Sequence, residues 1–74
     1  MANVGDVVAC PAQVKEHEYA WDEGYPFAKL APGDVGLVVE VYTSLSVLLM
    51  LRRRTRLVVF SRWLEIWEVL DEKG

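Results

Sequence analysis

Arg52, Arg53, Arg54, Arg56 and Arg62 crowd five of the eight basic residues into eleven positions of a chain whose net charge is -3. Planar guanidinium groups beside aromatic rings can hold phosphates and stack on bases, as in small barrels that bind nucleic acid. That is the chemistry of a recognition surface. The plainer use of the same cluster is solubility: charges at a hairpin tip keep an apolar β-protein dispersed and block edge pairing. They are also expected to pair across strands with Glu40, Glu65 or Glu68. The acidic balance counts against general nucleic-acid binding, whose affinity comes mostly from neutralising phosphates.

A second group lies earlier. Tyr19, Trp21, Tyr25 and Phe27 are scattered among Glu16, Glu18, Asp22 and Glu23. Aromatics interleaved with acids are what peptide-binding loops use to grip extended or basic segments. The alternative is that these rings cover one end of a core too small to close itself. Glu16-His17-Glu18 with Asp22 and Glu23 brings oxygen and imidazole ligands together, but one histidine without zinc or calcium spacing reads as a solvated loop, so no metal is expected. Cys10 and His17 are the sole candidates for a thiolate pair, and Cys10 falls in a core strand, where a thiol behaves as a small hydrophobe. Gly33 and Gly36 have neither the spacing nor the following helix of a phosphate-cradling loop. No catalytic residue, no cofactor and no enzymatic activity are expected.

The elements that carry these groups are short. Seventy-four residues make one domain, 1–74, and 53% hydrophobic content is too apolar for a disordered chain. A single cysteine permits no internal disulfide and points to a reducing, cytoplasmic setting. The longest uncharged stretch of the apolar half, Val41 to Leu51, is shorter than the roughly 20 residues that span a bilayer, and no leader pattern precedes the first strand.

Val7-Val8-Ala9-Cys10 is a first strand stopped by Pro11. Residues 11 to 34 hold all three prolines and no sustained period, and are predicted to be a long loop pinned by its aromatics. Pro32-Gly33-Asp34 is a turn, followed by a strand from Val35 to Tyr42 in which Gly36 is expected to mark a bulge or bend. Two further strands, Val47–Leu51 and Leu57–Phe60, make hairpins around it. Residues 61–72 are ambiguous: Trp63, Leu64, Trp67 and Leu70 recur at helical spacing, while Leu64 to Val69 alternates as a strand does. The strand is preferred, because a fifth strand closes the edges that four would leave.

This pattern is all-β and resembles a five-stranded SH3-like barrel with a long loop after the first strand. Gly5-Asp6 before the first strand, Gly33-Asp34-Val35-Gly36 opening the second and Leu64-Glu65 entering the last are similar to marks of small SH3-like accessory subunits. Such subunits include the variable chain of ferredoxin-thioredoxin reductase, the small barrel subunit of photosystem I and the NifZ proteins. The resemblance implies a barrel without catalytic residues that docks on a larger protein.

Both faces of the central hairpin are apolar, since Leu48 and Met50 alternate with Val47, Leu49 and Leu51, and Val58 and Phe60 with Leu57 and Val59. A chain this small cannot cover both, so one face is expected to meet another chain, a dimer by preference. Leu48, Met50, Val58 and Phe60 are assigned to that outer face. The functional expectation is a non-enzymatic, self-associating protein-binding module that presents Tyr19, Trp21, Tyr25, Phe27, Arg52, Arg53, Arg54 and Arg56 to a partner. The alternative is a nucleic-acid-binding barrel that uses the arginine hairpin.

Overall fold

The computed structural model describes residues 2–22 and 29–72. Among these, six antiparallel strands form one sheet: β1 (Val7–Ala9), β2 (Tyr19–Trp21), β3 (Val35–Val41), β4 (Leu45–Met50), β5 (Thr55–Phe60) and β6 (Glu68–Asp71). Their order is β2-β5-β4-β3-β1-β6. The fold is all-β as the sequence suggests, but the sheet is not closed into a five-stranded barrel: β2 and β6 form its edges. The strand additional to the five expected is β2, which comes from inside the segment expected to be loop. A 3-10 turn over Glu16–Glu18 leads into β2, which lies along β5 with Tyr19 opposite Val59 and Trp21 opposite Leu57. Three residues are too few to show a period in sequence, and β2 exists through its pairing rather than through local propensity.

Residues 61–72 divide between the two predicted states. Ser61–Leu64 makes a single helical turn, α1, and Glu68–Asp71 makes β6 against β1. The turn explains the helical spacing of Trp63 and Trp67, both buried, without continuing far enough to abolish the last strand.

Gly33 and Gly36 suit their places for different reasons. Ala31-Pro32-Gly33-Asp34 is a β-turn in which the Asp34 amide donates to the Ala31 carbonyl at 3.1 Å and Gly33 has φ +84. Proline followed by a residue at positive φ is the type II pattern. Gly36 serves close packing: a Cβ there would stand 2.8 Å from the Met50 Sδ. The bulge expected at Gly36 lies instead between Val38 and Glu40.

The four-residue turn Leu51–Arg54, with Arg54 at φ 52, pairs Met50 with Thr55. Every even-numbered residue of β4 therefore faces an odd-numbered residue of β5. Leu48 pairs with Leu57 and both are fully buried; Met50 is 2% exposed. The assignment of Leu48 and Met50 to an outer contact is thus overturned, since they lie at the centre of the core with Val8, Val38 and Val59. Val58 and Phe60 lie on the opposite face, beside Val47 and Leu45.

Candidate functional site

One end of the sheet gathers the groups singled out in the sequence. Trp21 ends β2, and the amide of the next residue, Asp22, donates to the Arg56 carbonyl at 3.0 Å, which ties the middle of the 11–34 segment to the base of the arginine hairpin. Across that junction the Arg53 guanidinium stands over the Trp21 ring, 5.6 Å from its centroid. A cation over an indole face is worth about 0.5–1 kcal/mol at an exposed site, and it holds a flexible side chain in a defined place.

Behind Trp21 the rings continue inward. Tyr19 meets Trp21 edge-on at 6.4 Å and stacks on Trp63 at 5.8 Å, and Trp63 meets Trp67 edge-on at 5.3 Å. Tyr19 and Trp21 are half-buried, whereas Trp63 and Trp67 belong to the core. The result is a graded aromatic series running from a wet edge to a dry interior. Strand alternation places Tyr19 and Trp21 on the inner side of β2, and the turn of α1 brings Trp63 under Tyr19. Sequence reasoning grouped Trp63 and Trp67 only as helix-spaced core residues. Their role as the floor beneath Tyr19 depends on β2 folding back on β5, for which no local signal exists. Among the described residues the indole N–H groups of Trp63 and Trp67 have no hydrogen-bond partner, so the core bears a cost for them.

Tyr25 and Phe27, expected to belong to the same surface, lie outside the described residues, as does Glu23.

The arginines separate into three environments. Arg52, Arg53 and Arg54 occupy the exposed turn; Arg56 projects from the outer face of β5 opposite Leu49; Arg62 sits on α1. The cross-strand pairing expected with Glu40, Glu65 or Glu68 is not made. Among the described residues the sole arginine ion pair is that of Arg62, whose Nε and Nη2 donate to the two Glu18 carboxylate oxygens at 3.1 Å each. Glu18 is buried, and Arg62 also lies over the Phe60 ring at 4.7 Å. This two-pronged contact takes up one of the acids expected to grip a basic peptide. Among the described residues the turn arginines have no carboxylate partner, so this end of the molecule is cationic and aromatic.

The other chemical candidates stay apart. The Cys10 thiol donates to the Pro11 carbonyl at 3.6 Å inside the core, and burial, with a smaller contribution from the Asp34 charge, pushes it up to about 11. His17 is exposed and its Nε2 lies 3.6 Å from Glu18. A thiol held protonated by burial is a poor nucleophile. Among the described residues no three His, Cys, Asp or Glu side chains stand close enough to hold a metal ion. A separate recess of about 90 Å³ lies between Tyr42, Ser46, Ser61 and Leu64, where the two serine hydroxyls bond at 2.8 Å. Its volume suits a few waters, well below the roughly 300 Å³ of a ligand pocket.

The geometry defines a class, a small all-β chain with a cationic-aromatic end and no assembled catalytic group among the described residues. The chain matches no protein-family model, no curated protein and no solved structure. No helix among the described residues is long and apolar enough to cross a membrane.

Proposed function

We propose that this chain is a non-enzymatic protein-binding module of the SH3-like kind, an accessory subunit that docks an acidic, extended segment of a larger cytoplasmic protein on the end formed by Trp21 and Arg52, Arg53 and Arg54. The observation that carries this reading is the Arg53 guanidinium over the Trp21 ring, with no carboxylate among the described residues taking up the charge of the turn. Guanidinium forks match carboxylates two oxygens at a time, and the ring supplies apolar area at little entropic cost. The long segment that returns along β5, and the single helical turn before the last strand, support the SH3-like comparison.

A single-stranded nucleic acid is the second reading, since bases stack on aromatic platforms beside arginines. It is the weaker one. The basic residues form a short tip on an otherwise acidic chain, and a nucleic-acid backbone needs a longer cationic track.

Tryptophan fluorescence separates the two. A ten-residue Glu/Asp-rich peptide is expected to quench or shift the emission in a saturable, salt-sensitive manner, and the double variant Arg52→Ala/Arg53→Ala to weaken the interaction by about tenfold, or 1.4 kcal/mol. Saturation by short single-stranded RNA at low micromolar concentration, with no response to the peptide at about 1 mM, would overturn the proposal in favour of the second reading.

A further inference from the structure

The outer face of the sheet is built differently from the cationic end and has its own logic. Two ladders of cross-strand neighbours cover it: Leu37, Leu49 and Arg56 in one, and Glu40, Val47 and Val58 in the other, with Leu45 beside Phe60 below. Leu45 and Phe60 are 38% and 36% exposed, and Leu37, Leu49 and Val58 are half-buried with no described element of the chain paired over them. The strip is apolar at its centre and carries unpaired charge at two corners, while over Phe60 at its lower end lies the Arg62 guanidinium, already paired with Glu18. Arg56 closes the β5 corner and Glu40 the diagonally opposite β3 corner. Among the described residues neither side chain has an ion pair within its own chain.

A strip with opposite, unpaired charges at diagonal corners is complementary to itself. In a two-fold contact each residue that touches another is touched in return by its counterpart. With the axis lying in the interface along the other diagonal, Arg56 of one copy stands against Glu40 of the second, and the pair forms twice. Leu37 and Val58 fall on the axis and meet their own counterparts, while Val47 and Leu49 fill the middle. An unrelated partner would have to reproduce this arrangement of charges; a second copy supplies it without further requirement.

We infer that the outer face of β3, β4 and β5 is the contact surface of a homodimer, centred on Leu37, Val47, Leu49 and Val58 and set in register by reciprocal Arg56–Glu40 pairs. The surface lies on the outer side of the sheet, whereas Trp21 pairs opposite Leu57 and packs against the core on the inner side. The sequence expectation of self-association is thereby moved from Leu48 and Met50 to the residues that alternate with them.

Sedimentation of the full chain between about 1 and 300 micromolar tests the dimer and its register together. The wild type is expected to sediment with twice the 8.4 kDa chain mass. Glu40→Arg and Arg56→Glu are each expected to weaken dimerisation by about tenfold or more, because each reversal sets two like-charge contacts in the interface. The double variant Glu40→Arg/Arg56→Glu restores the pairs with their signs exchanged, and is expected to dimerise like the wild type. Both positions are exposed, so the single variants keep the fold, which circular dichroism checks. A wild-type monomer at 300 micromolar would overturn the inference. So would a dimer indifferent to both reversals, or a double variant weaker than either single one.

Discussion

Cys10 shows how much a single buried group can say about the environment around it. It directly follows β1, 4% exposed, with its amide donating to the Asp34 carbonyl at 2.8 Å and its own carbonyl accepting from Gly33 at 2.8 Å. The backbone is fully engaged and the thiol faces the core, so the thiolate is disfavoured and the group is held near 11 against an ordinary 9.0. An acid held higher when folded than when unfolded gives stability that is intact below the unfolded value. That stability is lost as pH rises through the folded one, because the unfolded chain releases its proton first. Chemical denaturation is therefore expected to show stability falling between about pH 9 and pH 11 by about 2 kcal/mol, and Cys10→Ser to flatten that part of the profile. An unchanged slope in the variant would assign the loss to other groups. Arg62 gives the opposite case, an exposed cation whose fork neutralises buried Glu18 and whose face covers Phe60. Neither partner announces the pair in sequence, because 44 positions separate them.

At the scale of elements, the strands around Val7, Val35, Val47 and Leu57 were legible because β-branched runs are bounded by Pro11, Pro32-Gly33-Asp34 and the arginine turn. What alternation alone does not reveal is which alternate set faces inward. That depends on the number of residues in the turn between β4 and β5, and a turn counted one residue differently exchanges the two faces. Leu51 looks like strand by its type, yet it opens the turn, 49% exposed, and so Leu48 and Met50 go inside. The consequence is measurable by thermal or urea unfolding. Leu48→Ala is expected to cost about 3 kcal/mol, the usual range for a buried leucine, and Val58→Ala less than about 1.5 kcal/mol at concentrations where the chain is monomeric. Equal costs, or a larger one at Val58, would reverse the assigned faces. The candidate site was legible only as two lists, the loop aromatics and the arginines. Their meeting at Trp21 and Arg53 follows from β2 pairing with β5, a long-range contact that no window of sequence contains.

The whole molecule is electrically lopsided. A chain of net charge -3 carries Arg52, Arg53, Arg54 and Arg56 around one hairpin, while Glu16, Glu65, Glu68 and Glu72 stand exposed elsewhere. Such a distribution orients an approaching acidic segment toward the cationic end and repels it from the rest, an effect on encounter that falls with ionic strength. The aromatic series behind Trp21 fixes the platform that the proposed docking requires, since Tyr19 rests on Trp63 and Trp63 on Trp67. The most direct test of this reading is a two-dimensional amide and indole NMR map of the full chain recorded while the Glu/Asp-rich peptide is added. Shifts are predicted to concentrate on the Trp21 indole and on residues 52–54, with the β6 edge unchanged. Shifts confined to β6 or to the outer sheet face, or none at about 1 mM peptide, would contradict it.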